Sequence, residues 1–507
     1  MLNPTRNLSS KASKLLWGLT LLATAAGAQE LTDGQIGVVS ARLAEAALMS
    51  WELGTRAQTI LELNATEYSV FSSSSLPPPK TIPSSLASTH GLDPFFAIAH
   101  EVVANRSTAN NNTSGPQAFL PDGSAGDPPS IGVAVLLADW TNQDDGRLDY
   151  AGAAKDQLDF LLTKVPRASD GAISHRVSEL QLWSDFVYMV PPFLAYYGVL
   201  TRNRTLVAEA YNQIKLYRGH LRDNSTGLWM HVLLGADWND PGFWCTGQGW
   251  AAAGMLRVFA TMQHSEYSNT FKNEQKDLAS WIKEIHDAVY PHLDDTNIFT
   301  NYPNQPVTAS GNFYDAACTA LLASTVYRAA LVTKDGSHIA DADRTRSTLF
   351  STNTSQPPSS NASTALDGYA HLTADGWLTP VVNPHSFGMA GKESAEAQAF
   401  VVQLHAGHRE WVQGGSRVSA ATRNGRAEAS AVWMTLVLVL AGAFFLFSIF
   451  SKYLDDIYRL SPPNLYTTII RLSFPLHSAC RYLHNPHTLP TLQKKTSPNN
   501  LFDPIIA

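Results

Sequence analysis

The chain has 507 residues, 44% of them hydrophobic and 16% charged, with a formal net charge of -7. That composition excludes an intrinsically disordered chain, and the lack of a long basic run argues against a nucleic-acid partner. Three cysteines, Cys245, Cys318 and Cys480, are too few for a disulfide framework, and no His/Cys cluster has zinc spacing, so no structural metal is expected.

The N-terminus reads as a secretory signal. Arg6, Lys11 and Lys14 precede an apolar run from Leu15 to Ala26, and Ala26-Gly27-Ala28 suits a signal peptidase. Cleavage is expected after Ala28, giving a signal peptide over 1–28; an uncleaved signal anchor is the alternative. Glycosylation sequons beginning at Asn64, Asn105, Asn111, Asn112, Asn203, Asn224, Asn353 and Asn361 agree with the secretory pathway, although chance places some in any polar loop.

Residues 29–415 read as one all-α domain. Helical periodicity recurs at 35–53, 88–104, 129–141, 148–164, 183–200, 204–220, 247–263, 272–289, 312–332 and 394–411. Gly-, Pro- and Asn-rich joints such as PPPKTIPSS and SQPPSSNAS separate them. Periodicity alone does not distinguish a closed barrel from an open solenoid. Cys245 and Cys318 are either a pair or two buried thiols. After a linker at 416–430, the uncharged run 431–450 is long enough to span a bilayer. Arg426 and Lys452 flank it, and Trp433 and Tyr453 suit the interfaces. The run predicts a single transmembrane helix, with the N-terminal domain outside and a poorly ordered, Pro-rich tail at 451–507 in the cytosol. A buried core helix, or a misassigned exon beyond about Gly415, would account for it otherwise.

The stretch from Asp170 to Gly254 carries the chemistry. It reads DGAISHR, LWSDFVYMVPPFLAYYG, TGLWMHV and FWCTGQGWAAAG in succession. Trp, His and Asp stand repeatedly at the edges of apolar runs, which suits the mouth of a sugar-binding cavity, where aromatic faces stack on pyranose rings and a few polar groups fix orientation. Asp185 lies between Trp183 and Phe186, and apolar surroundings favour the protonated, donating form of a carboxyl group; helix capping is the bland alternative. Asp127, before DPPSIGVAVLL, suits either a second acid or a cap. His175 and His231 suit hydrogen bonds to sugar hydroxyls. Trp183, Trp229, Trp244 and Trp250 are stacking walls or core. Thr246 and Gln248 offer neutral hydrogen bonds, and Asp315 suits a helix cap. No chemistry is assigned to Asn383, His385 or Ser394 to Phe400.

The order of these motifs resembles the unsaturated rhamnogalacturonyl hydrolases of the glycoside hydrolase family 105/88 type, from about Asp127 to Trp411, and is most similar to fungal members. The matching positions are His175 after a Gly turn, Trp183 with Asp185, Trp229 with His231, and Trp244 with Trp250. The resemblance implies an (α/α)6 barrel of six-hairpin type, no cofactor or metal, and hydration of a 4,5-unsaturated uronyl residue of a pectin-derived oligosaccharide. Asp185 and Asp127 would be its acids, and His175, Trp183, His231, Trp244, Thr246, Gln248 and Trp250 would contact the sugar. One departure matters: Thr246 stands where the family usually has Arg, the natural fork for a uronate carboxylate, and Gln248 where it has Asn. The alternatives are a hydrolase of the same fold acting on another saccharide, and a membrane-tethered carbohydrate-binding protein without catalysis. Oligomeric state is not readable.

Overall fold

A computed structural model describes residues 30–71, 75–352 and 363–415. The expected signal peptide, the linker at 416–430, the apolar run 431–450, the tail and the sequons at Asn353 and Asn361 lie outside the described residues. Among the described residues no helix is long and apolar enough to cross a membrane.

Twelve helices of nine or more residues form the described domain: α1 Asp33–Ala46, α2 Ser50–Asn64, α3 Asp93–Ala109, α4 Gly132–Trp140, α5 Tyr150–Thr163, α6 Pro191–Leu200, α7 Arg204–Leu221, α8 Cys245–His264, α9 Lys272–Val289, α10 Ala316–Val332, α11 Ile339–Leu349 and α12 Ala395–Glu410. They alternate between two kinds. The odd-numbered helices are amphipathic: α9 buries only a stripe of Leu278, Ile282, Ile285, His286 and Val289. Several even-numbered ones are enclosed on nearly all sides, as in α8, buried from Cys245 to Met262, and α10, buried from Ala316 to Ala329. A helix apolar all round must sit inside.

The even-numbered helices touch one another in sequence, α2–α4–α6–α8–α10–α12, and α12 returns to α2. Closure of that inner ring makes the domain a barrel of six helical hairpins, with the odd helices outside. Gly254 permits the close approach that the ring requires, because a Cβ there would lie 2.0 Å from the Val187 carbonyl oxygen. Two small antiparallel pairs decorate the barrel: β1 Leu182–Trp183 with β2 Val232–Leu233, and β3 Val381–Asn383 with β4 Ser386–Gly391.

Three sequence expectations need correction. The single helix expected at 35–53 is two helices, because the chain turns at Ala47–Met49 and Glu52 Oε2 accepts from the Leu48 and Met49 amides, 2.9 Å each, to open α2. Helix α11, IADADRTRSTL, has too little apolar periodicity to be read from sequence. The segment expected at 183–200 begins as a strand and a single turn, and α6 starts at Pro191, where proline's fixed φ suits the first helical turn.

Two covalent or ionic ties hold the inner ring. Cys245 and Cys318 form a disulfide, Cα–Cα 5.7 Å, joining the beginnings of α8 and α10 across 73 residues. Arg328 on α10 is almost completely buried and reaches Glu62 of α2 at 2.9 Å and Glu410 of α12 at 2.6 Å. Replacing both cysteines by serine is expected to lower unfolding free energy by about 2–4 kcal/mol, the typical worth of a disulfide, measured by urea titration. Arg328→Met removes the ion-pair partner of the buried Glu62 and the half-buried Glu410 and should cost about 3–5 kcal/mol, with partial recovery on adding Glu62→Gln.

Candidate functional site

The inner helices begin at one common end. Ser130 before α4 donates to the Ser50 carbonyl at the start of α2, 3.2 Å. Ser184, ahead of α6, packs on Gly247 at the start of α8. Thr246 of α8 bonds Asp315 at the start of α10, and Trp51 of α2 bonds Glu396 of α12. Each helix brings a polar residue to that end: Glu52, Asp127, Asp185, Thr246, Asp315 and Glu396. Exposed amides and the positive end of the peptide dipoles favour carboxylates there.

Asp127 and His175 form the first pair. His175 is fixed by its backbone: its carbonyl accepts from Ala125 and Gly126, and its amide donates to Gln181. Its Nε2 lies 3.4 Å from Asp127 Oδ1 and 3.4 Å from Ser124 Oγ. Its Nδ1 is buried without a hydrogen-bond partner. Gly126 is the only residue type that fits beside it, since a Cβ would lie 2.4 Å from Nδ1. The imidazole stacks on Trp183, centroids 5.0 Å apart and planes 18° from parallel.

Asp185 and His231 form the second. The β1–β2 pairing aligns them, and the Ser184 amide donates to the His231 carbonyl at 2.9 Å. Asp185 Oδ2 accepts from Ser184 Oγ at 3.0 Å and lies 3.6 Å from His231 Nε2. The other ring nitrogen, Nδ1, is 2.9 Å from Asp240 Oδ2. Tyr302 and the Gly242 amide also donate to Asp240, at 2.7 and 3.0 Å. Burial pushes Asp240 up, but the bonds from His231, Tyr302 and Gly242 outweigh it and hold its carboxyl below the ordinary range. The Asp240 contact at Nδ1 orients the ring so that Nε2 faces Asp185. That nitrogen is buried and has no hydrogen-bond partner. Both catalytic candidates reach the surface slightly, Asp127 at 13% and Asp185 at 14% exposure.

Trp183 joins the two pairs. It stacks on His175, stands edge-on to His231 at 5.3 Å, and donates its indole N–H to Gln181 Oε1 at 2.7 Å. Trp244 backs His231 at 4.4 Å and donates to Asn301 Oδ1 at 2.9 Å.

Three expected sugar contacts are placed elsewhere. Gln248 is fully buried, and its amide is used up on the Trp229 amide and on the Trp229 and Trp244 carbonyls. It splices α8 to the Gly-Leu-Trp-x-His segment. Thr246 is fully buried and donates to Asp315 Oδ2 at 3.2 Å. Trp250 packs in the core between Tyr188 and Phe400, at 4.4 and 4.8 Å; Trp229 is core as well. The residues that face inward in the first turns of a buried helix meet its neighbours, and a linear motif does not reveal which ones they are.

Sequence reasoning missed Asp240, Glu52, Glu396 and Phe387. Asp240 sits in a polar WNDPG turn without a recognisable pattern. Glu396 lies within SAEAQAF; Trp51 Nε1 donates to its Oε1 at 2.7 Å, and its Oε2 is buried without a partner. Burial, with Glu52 and Asp185 nearby, raises it well above the usual carboxylate range. His385, 3.6 Å from Glu52 Oε1, stands edge-on to Trp51. Ser394 caps α12.

Asp315 caps α10 with bonds from Ala317, Cys318, Val382 and Thr246, yet burial outweighs them and raises its carboxyl to about 6 from 3.8. The folded state therefore binds this proton more tightly, so the contribution is full below pH 3.8 and is lost as pH rises through 6. Asp315→Asn should remove a decline of roughly 2–3 kcal/mol between those limits, at ~1.4 kcal/mol per unit. Urea titrations of both proteins across that range check it.

Residues 127–338 match Glycosyl Hydrolase Family 88. Among solved structures, the chain superposes on a possible member of glycoside hydrolase family 105 from Salmonella enterica subsp. enterica serovar Paratyphi A, with a TM-score of 0.53 and 16% identity over 81% of this chain and 100% of that one. A possible family 105 member from Klebsiella pneumoniae subsp. pneumoniae gives 0.52 and 16% over the same shares. A family 105 glycoside hydrolase from C. acetobutylicum gives 0.51 and 11% over 74% and 99%. Those likenesses establish the fold, and the family match covers both acid–histidine pairs. Residues 127–338 carry a glycoside hydrolase family 88 domain, the described domain has the fold of those family 105 structures, and the protein is a glycoside hydrolase.

Proposed function

We propose that the protein hydrates the 4,5 double bond of an unsaturated uronyl residue at the non-reducing end of a pectin-derived oligosaccharide. The observation that carries this reading is Asp185, a slightly exposed carboxyl group beside an unpartnered His231 Nε2 whose other nitrogen is tied to Asp240. Asp185 gives its proton to C4, and the ring oxygen's electron pair stabilises the positive charge that develops at C5. A water oriented by Asp127 and His175 adds its oxygen to C5, and its proton returns to the Asp185–His231 pair. The hemiketal opens, and collapse at C1 releases the next sugar as a free hydroxyl. Water is the sole co-reactant, so atoms balance. The ordinary two-carboxylate displacement at the anomeric carbon is not required.

A second reading, hydrolysis of a neutral saccharide on the same fold, is favoured by Thr246. This buried hydroxyl is committed to Asp315 and offers no cation to a uronate where the family usually has Arg. Burial raises the Glu396 carboxyl well above the usual carboxylate range, which lessens the negative charge near Asp185 and supports the uronyl reading. A third reading, sugar binding without turnover, retains the pocket and drops the proton transfer.

We also propose secretory-pathway residence, with anchoring by 431–450. The six sequon asparagines among the described residues, Asn64, Asn105, Asn111, Asn112, Asn203 and Asn224, are all exposed, as glycosylation requires.

The test is loss of the double bond's ultraviolet absorbance when the full chain meets unsaturated rhamnogalacturonan oligosaccharides. Wild type is expected to consume it, and Asp185→Asn should turn over about 10²–10⁴-fold more slowly, the scale of a general acid, while still binding the sugar in calorimetry. Turnover undiminished in Asp185→Asn would remove Asp185 from the mechanism. Binding without turnover in wild type would select the binding-only reading.

A further inference from the structure

The aromatic wall continues from the acid–histidine pairs to the surface. Trp183 stands edge-on to Trp238, centroids 5.6 Å apart, and Trp238 stacks on Phe387 at 6.1 Å with planes 20° from parallel. Trp238 is 42% exposed, and Leu234, four residues before it, and Met389, two residues after Phe387, are exposed too. The chemistry proposed above uses none of the three, and core packing does not require an indole half in water.

The segment carrying Trp238 is held in place. Val232 and Asp240 exchange two backbone hydrogen bonds at its base, 2.8 and 3.0 Å. Within it, the Gly235 amide donates to Asn239 Oδ1 at 2.8 Å, and Asn239 Nδ2 donates back to the Gly235 carbonyl at 2.9 Å. Gln181 links the two indoles: its Nε2 donates to the Trp238 carbonyl at 3.1 Å while its Oε1 accepts from Trp183 Nε1 at 2.7 Å. A surface fixed before the ligand arrives loses little entropy on binding.

We infer that Trp238, backed by Phe387, is the subsite for the sugar residue next to the terminal one, and that it takes a neutral sugar through its C–H face. This rests on the proposed uronyl reading for the terminal residue. The corner from Trp183 to Trp238 spans about one sugar ring, so an oligosaccharide seated against Trp183 passes over Trp238 next. An aromatic face favours C–H-rich surfaces. The carboxylates of Asp237, beside Trp238 in the chain, and of Glu179, 3.3 Å from the Ala236 amide, oppose an anionic residue at this place.

Two substrates sharing the same unsaturated uronic acid test it on the full chain: its methyl glycoside, and a disaccharide in which rhamnose follows it. Trp238→Ala is expected to lower kcat/KM on the disaccharide about tenfold through KM, the loss of about 1.4 kcal/mol, and to lower it less than threefold on the methyl glycoside. Trp238→Phe should restore most of the disaccharide rate. Equal losses on both substrates, or none on either, would overturn the subsite; an unchanged melting temperature excludes misfolding as the cause. Wild type inactive on both substrates would instead refute the uronyl reading on which the subsite rests.

Discussion

The structure depends on closing a ring of six buried helices. Four inner helices, α4, α6, α8 and α10, are buried on nearly all sides, so each must be enclosed by two neighbours and an outer partner. Five of the junctions join consecutive hairpins. The sixth, α12 against α2, joins the two ends of the domain, and it is there that Arg328 meets Glu62 and Glu410, and Trp51 meets Glu396. These are long-range contacts, separated by up to 345 residues, and their closure entropy is met by the apolar area that the whole ring buries.

Closure has a chemical consequence. Parallel inner helices present all their first turns at one end, so amide groups and dipoles converge on a small area. Carboxylates from five of the six helices gather there, and the sixth position is Thr246. Such a concentration of acids cannot all ionise at ordinary cost. The structure divides them: Asp315 and Glu396 are held high by burial, while Asp240, on the loop before α8, is held low by its donors. Asp127 and Asp185 remain as the slightly exposed members, each next to a buried histidine. Trp183, in contact with both imidazoles, sets the spacing of the two pairs.

Much of this was legible in the chain. Alternating amphipathic and apolar segments identify an all-α array, and the Trp-x-Asp and Trp-x-His clusters mark the site through Asp185 and His231, although Trp229 of the second cluster packs in the core. The glycine before Asp127 and the prolines of α6 are local backbone requirements that a sequence states directly. The break between α1 and α2 was not legible, since Glu52 caps α2 by a bond to the preceding amides and apolar periodicity runs straight through.

By itself, the sequence determined the helical repeat and the position of the acid–histidine motifs, because these depend on residue type and short spacing. Tertiary structure alone decided that the array closes, that Cys245 pairs with Cys318, and that Asp240 orients His231. It also placed Gln248, Thr246 and Trp250 behind the wall, while Glu52, Glu396 and Phe387, from the two ends of the domain, joined the site. The reason is physical: which face of a buried helix meets a neighbour, and which meets the cavity, is settled by contacts between residues far apart in the chain.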